Sequence, residues 1–418
     1  MMFVVAIVAL VALSGVSASP APVSSNKLAP WWGHMAAPMS IPHTQPLSVP
    51  QDSTTPMIIA RYGYQAETHT VRTRDGYLLE MHRIPNPGKP AIYLQHGILS
   101  SSADWVVLGP KKALAFLLFD AGYDVWMGNF RGNTYSRAHE SIPTSDKKFW
   151  DFSWHEMGMI DIPAMIDTVL EKSGQKSLIY VGHSQGTTAF FVMSSMLPEY
   201  NEKVKAFIAM APVAFLGKVG SLPLKIVAQG VDEIDFIAKV LGIAEFLPSS
   251  AFMSSITTRA CADGSMLQSL CENILFVIAG FDPVELDTEK LPEIMLNVPA
   301  GASTKQMVHY GQLIKSDKFH QFDLGILQNL WHYGSIHPPE YPLNKITTRV
   351  YLHYAENDLL AVPAGVERLS KAIKNVKLVR RVPHDTYNHL DFLYGKDSVP
   401  LIYDQVMESI REVLEEDQ

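Results

Sequence analysis

The sequence predicts an α/β fold: a mostly parallel sheet flanked by helices, interrupted by a long and largely helical insertion. Three observations carry that prediction. Short apolar runs without alternation recur at Ala91–Gln95, 123–127, 177–181 and Val204–Met210, the pattern of strands buried on both faces. Helical patterns lie between them at 111–121, 160–172 and 186–197, so strand and helix alternate as in a crossover-connected parallel sheet. The rhythm then stops between 211 and 348 and resumes with a strand at 349–353, a helix at 363–374, a strand at Val376–Arg381 and an amphipathic helix at 401–414.

The chain before this core is of a different kind. Residues 3–13 form an uninterrupted apolar run, followed by Ser14, Gly15 and Val16-Ser17-Ala18. The run is too short to span a bilayer, and small residues at Val16 and Ala18 suit cleavage after Ala18, so residues 1–18 read as a secretory signal peptide. No Lys or Arg precedes the run, a departure from the usual pattern. Residues 19–55 form a proline-rich segment with few charges and nothing to build a core, an extended leader or a propeptide. The core is expected over 56–210 and 349–418, with the cap insertion at 211–348 between its two parts. A hairpin opens it, with strands at 69–73 and 77–83 around Asp75-Gly76.

Composition excludes several classes of function. Net charge is −8 with no basic run, which removes the electrostatic footprint a nucleic-acid binder needs. Two cysteines build neither a disulfide scaffold nor a four-cysteine zinc site. In a secretory compartment Cys261 and Cys271 are expected to pair with each other, two buried free thiols being the alternative. No Asn-x-Ser/Thr sequon occurs, so N-glycosylation is not expected.

Gly182-His183-Ser184-Gln185-Gly186 matches G-x-S-x-G. The apolar run 178–181 precedes it and a helical pattern follows, the strand–turn–helix context of a nucleophile elbow. The glycines permit a turn too tight for a Cβ, leaving the Ser184 hydroxyl at the strand's C-terminal end. A serine is a weak nucleophile until a base takes its proton and an acid orients that base. Both should follow Ser184 in the order acid, then histidine. Asp358 lies just beyond the strand at 349–353, with Glu356 as a rival. His384 and His389 both follow Val376–Arg381, and Asp391 is a further rival acid. The oxyanion of an acyl-transfer intermediate needs two backbone N–H donors: Gln185 supplies one, and Ile98 in His96-Gly97-Ile98-Leu99, directly after Ala91–Gln95, supplies the other. His96 reads as structural, because no histidine–carboxylate cluster accompanies it.

Within the insertion, Val231, Ile234, Ile237 and Leu241 recur at helical spacing, widened by Phe236 and Val240, with Asp232, Asp235 and Lys239 opposite. The face packs on the core, or it belongs to a mobile lid that meets lipid.

From about Pro56 onward the chain resembles the acid lipase family, the gastric and lysosomal acid lipases and their insect relatives. The segments that carry the resemblance are Asp75-Gly76-Tyr77-Leu78-Leu79-Glu80, Leu94-Gln95-His96-Gly97, Ala121-Gly122-Tyr123-Asp124-Val125-Trp126, Arg131-Gly132-Asn133-Thr134, Gly182-His183-Ser184-Gln185-Gly186, Asn357-Asp358-Leu359-Leu360-Ala361 and Tyr387-Asn388-His389-Leu390-Asp391-Phe392. The resemblance implies an α/β-hydrolase core with a cap, a Ser184–Asp358–His389 triad, oxyanion amides on Ile98 and Gln185, and a cap disulfide between Cys261 and Cys271. It selects His389 over His384, which the spacing alone leaves open. It also implies hydrolysis of triacylglycerol or sterol esters without cofactor or metal. The sequence departs from the family at Phe130, where a serine is usual, at Val362, and at Ala355-Glu356 in place of Gly-Gly.

The expectation is therefore a secreted serine lipase, with a lysosomal location as the alternative. It would touch a membrane or lipid-droplet surface transiently through its cap. A carboxylesterase for small soluble esters and a catalytically silent lipid-binding protein are the rival functions.

Overall fold

The computed structural model describes residues 53–232, 235, 238, 243–247 and 278–416. The signal and proline-rich segments, most of the helix around Ile234 and both cysteines lie outside the described residues.

Eight strands form the main sheet: β1 Glu67–Arg72, β2 Tyr77–Ile84, β3 Ala91–Gln95, β4 Asp124–Gly128, β5 Leu178–His183, β6 Val204–Met210, β7 Arg349–Tyr354 and β8 Val376–Arg381. Their order is β1-β2-β4-β3-β5-β6-β7-β8, and a two-residue strand, Ala138–His139, pairs with β2 off this path. β1 runs antiparallel to β2 and β2 antiparallel to β4. From β4 onward every pairing is parallel.

Every residue of β3, β4 and β5 is buried, whereas β1 and β8 at the edges alternate between covered and solvent-facing positions. Central strands covered on both faces need uniformly apolar sequence, and edge strands do not.

The longer helices among the described residues are α1 Thr55–Arg61, α2 Leu114–Asp120, α3 Ile162–Ser173, α4 Gln185–Met196, α5 Leu222–Gln229, α6 Leu291–Asn297, α7 Thr304–Ser316, α8 Ile326–Tyr333, α9 Pro363–Ala372 and α10 Asp404–Glu416. α2, α3, α4, α9 and α10 pack on strands of the sheet, and α5 packs on α7 within the insertion. Two helices open with a wider π-type turn, Met157–Asp161 before α3 and Val399–Tyr403 before α10. Gly158 sits in the first, where a Cβ would stand 2.6 Å from the Ala189 carbonyl oxygen on α4. Among its described residues the insertion also contains a strand pair, Glu245–Phe246 with Ala302–Ser303. It is too short to show as a run in the sequence.

Register places the C-terminal ends of the parallel strands side by side. Gln95 at the end of β3 pairs with Gly182 of β5, His183 with Met210 of β6, and Met210 with His353 of β7. Loops that leave those ends share one edge, which is where open α/β sheets assemble their sites.

A buried ionic knot secures this edge. The Arg131 guanidinium donates to both Asp161 and Asp75, the nearest contacts being 2.6 and 2.7 Å, and lies 4.0 Å from the centre of the Tyr77 ring. It ties the β1–β2 turn, the loop after β4 and the start of α3 together.

Candidate active site

Ser184 follows β5 with φ 52° and ψ −118°, a left-handed backbone that a non-glycine residue holds only under constraint. The constraint comes from both sides. Ser184 N–H donates to the Met210 carbonyl at 3.2 Å, and the Ser184 carbonyl accepts from the Thr187 hydroxyl at 2.6 Å. The flanking glycines are required by close approach. A Cβ on Gly186 would stand 2.4 Å from the Gln95 carbonyl oxygen, and one on Gly182 would stand 3.1 Å from the Gly186 backbone.

His389 receives the serine. Ser184 O–H donates to His389 Nε2 at 2.8 Å, and His389 Nδ1–H donates to Asp358 Oδ2, also at 2.8 Å. The second Asp358 oxygen accepts the amides of Leu360 and Ala361 at 2.8 and 2.7 Å, so the carboxylate is held by its own loop. All three side chains are buried. A hydroxyl, an imidazole and a carboxylate in this line can pass the serine proton to the ring while the carboxylate fixes the tautomer.

Gln185 opens α4 and Ile98 lies on the loop after β3. Among the described residues no protein group accepts a hydrogen bond from either amide. Gly97 lets that loop approach, since a Cβ there would stand 3.0 Å from Ser184 Cβ. His96 is structural: its Nδ1–H donates to the Gly97 carbonyl at 2.7 Å, while Nε2 accepts Phe130 N–H at 3.2 Å and the Asn133 side-chain amide at 3.1 Å. Burial lowers its pKa to about 4, so the ring stays neutral. Phe130 stacks edge-on against it at 5.2 Å.

The rival residues are occupied elsewhere. His384 pairs with Asp282 at 3.0 Å, and Glu356 is exposed. Asp391 accepts the Asn388 amide at 2.6 Å; burial, with Asp282, Glu285 and Asp358 nearby, pushes its carboxyl up to about 8.

Comparison with known proteins follows the same lines. A family model described as "Partial alpha/beta-hydrolase lipase region" matches residues 55–109, and one described as "alpha/beta hydrolase fold" matches residues 90–234. Lipase 3 of Drosophila melanogaster is 43% identical over 356 residues, 84% of this chain and 90% of its own. The chain belongs to the lipase family of α/β hydrolases. Human gastric triacylglycerol lipase is 39% identical over 366 residues, covering 85% of this chain and 90% of its own. A solved Sulfolobus solfataricus structure superposes with a TM-score of 0.56 at 14% identity, over 80% of this chain and 90% of its own, a likeness of fold.

Against this lipase background, several site residues carried no readable role in the sequence. His183 Nε2–H donates to the His389 carbonyl at 3.0 Å, so the second residue of the pentapeptide positions the base. A segment of the insertion also reaches the site. The Ala279 carbonyl accepts Leu359 N–H at 3.2 Å and His389 N–H at 3.4 Å, joining the acid loop to the histidine loop. The Asn388 side chain donates to the Gly280 carbonyl at 3.1 Å. Gly280 has φ 124°, and a Cβ there would stand 2.1 Å from the Asn357 carbonyl oxygen. In the sequence this segment is marked by Gly280-Phe281-Asp282-Pro283, one of the few short runs of the insertion that resemble the acid lipase family. Among the described residues no group of three or more metal-ligating side chains occurs, and no helix is long and apolar enough to cross a membrane.

Proposed function

We propose that this lipase hydrolyses ester bonds of neutral lipids, triacylglycerols first, through an acyl-enzyme on Ser184. The observation that carries the reading is the unbroken line from Ser184 Oγ through His389 to Asp358, with 2.8 Å at each step. His389 Nε2 takes the serine proton as Oγ attacks the ester carbonyl. The tetrahedral oxyanion accepts hydrogen bonds from the Ile98 and Gln185 amides. Collapse breaks the ester C–O bond, and the alcohol leaves with the proton from His389. Water then attacks the acyl-enzyme, gives its proton to His389, and the fatty acid is released as Oγ regains a proton. Asp358 keeps Nδ1 protonated throughout and stabilises the imidazolium.

The substrate class is supported by the relatives, one of which is named a gastric triacylglycerol lipase. Entry into the secretory pathway is supported by the apolar run and small-residue cleavage pattern of residues 1–18. The decisive experiment is fatty-acid release from emulsified triolein and from a soluble butyrate ester, for wild type and Ser184→Ala. The proposal expects hydrolysis of both substrates, lost by about 10⁵-fold or more in the variant. Hydrolysis of the soluble ester alone would make the protein a carboxylesterase, and hydrolysis that survives Ser184→Ala would remove the mechanism.

A further inference from the structure

One helix of the insertion is built inside out. α8 carries Ile326, Leu327, Leu330 and Trp331 on its outer face, with Leu327 83% and Trp331 87% exposed. Asn329 is its one buried residue, and the polar Gln328 and His332 are exposed beside the apolar ones. The Asn329 side chain donates to Asp323 at 2.7 Å and to the Ile336 carbonyl at 3.1 Å, and accepts Leu324 N–H at 2.9 Å. The Tyr333 hydroxyl donates to the Phe322 carbonyl at 2.9 Å. These bonds fix the helix between the chain that enters it and the chain that leaves it, so its apolar face is held towards solvent by design of the turn. Ile336, half exposed just beyond the helix, extends the same surface.

We infer that α8 and Ile336 form a docking surface for a neutral lipid–water interface. The inference rests on the lipase reading and identifies the surface by which the enzyme would hold its insoluble substrate phase. Charge selects this occupant. Residues 324–339 contain no Asp, Glu, Lys or Arg. A surface for anionic headgroups would carry lysine and arginine, and the core of a specific polar interface would carry its own pairing groups. The other apolar occupant is a second copy of the chain, an outcome that the test below separates. Five exposed side chains present on the order of 500 Å² of apolar surface, as large as the biggest patch on an ordinary monomer. An apolar helical face with a tryptophan and no charge is suited to lie in an interface and does not span it.

The test uses the full chain carrying Ser184→Ala, so that binding is read without turnover. It is mixed with a triolein emulsion coated with phosphatidylcholine and separated by flotation, with Trp331 fluorescence followed in parallel. Trp331 is the exposed tryptophan among the described residues, and its emission should shift to the blue on binding. Leu327→Ser combined with Trp331→Ser should weaken partition about tenfold or more. In the Ser184 background the same pair should leave hydrolysis of a soluble butyrate ester within about twofold, which also reports that the variant folds. Unchanged partition would overturn the inference. So would a wild-type dimer in sedimentation that the double substitution turns into monomer, because the surface would then belong to a second copy. If the protein partitions through α8 yet hydrolyses nothing, the docking surface stands and the catalytic reading falls.

Discussion

Gly97 lies so close to Ser184 that a side chain there would crowd the nucleophile. A Cβ built on Gly97 falls 3.0 Å from Ser184 Cβ and 3.5 Å from its Oγ. The loop that offers the Ile98 amide can therefore sit against the nucleophile only because residue 97 has no side chain.

Gly97→Ala should push that loop or the serine by a few tenths of an ångström and lower kcat on a soluble ester by about tenfold or more, with the melting temperature little changed. Gly186→Ala should fail differently. Its Cβ meets a backbone carbonyl at 2.4 Å, which no side-chain rotation can relieve. Melting curves and kcat for the two variants separate these outcomes.

Arg131 is buried between Asp161, itself fully buried, and Asp75. Arg131→Ala leaves the Asp161 carboxylate without its cation, and should cost about 3–5 kcal/mol. Arg131→Lys should recover only part of this, because an ammonium cannot reproduce the planar fork. Denaturant midpoints at constant m-value measure both.

Asp391 gives stability a pH dependence with a definite sign. Its folded pKa of about 8 lies above the ordinary carboxyl value, so its contribution is fully present below about pH 4 and lost as pH rises through about 8. Asp391→Asn keeps an acceptor for the Asn388 amide and removes the titration. The melting temperature of the variant minus that of wild type should be near zero at pH 4 and climb steadily to pH 8. A difference independent of pH would contradict the assignment.

His353, in the centre of β7, has the opposite sign. It is fully buried, neither ring nitrogen has a hydrogen-bond partner among the described residues, and burial lowers its pKa to about 3. Keeping the ring neutral opposes folding as pH falls from about 6.5 towards 3. His353→Leu should stabilise the protein by about 1–2 kcal/mol at pH 7 and by more at pH 5.

Much of this molecule was legible in its sequence, for physical reasons that differ by element. β3 and β6 fall at the boundaries read from their apolar runs, because each is covered on both faces, and β8 falls at the bounds read for it. The helix read at 160–172 begins earlier, in a π-type turn at Met157. Gly158 in that turn lies against α4, a tertiary contact that leaves no periodicity. Ser184 is marked by its glycines, whereas the choice of His389 over His384 depends on what each ring meets. His384 meets Asp282, 102 residues away, and no local pattern records that. The clamp at Ala279 acts through a carbonyl, which every residue possesses, so its identity carried no signal. The outward direction of the α8 face has no mark in the sequence, since hydrophobic periodicity gives a face but not its direction.

The central claim is that Ser184 is the attacking atom and that His389 activates it. An alkyl phosphonate ester that mimics the tetrahedral intermediate tests it most directly, with the labelled residue located by peptide mass spectrometry. The account predicts one adduct per chain, on Ser184, formed in step with loss of ester hydrolysis and slowed by about 10³-fold or more in His389→Ala. An adduct on any other residue, or full activity with Ser184 labelled, would contradict it.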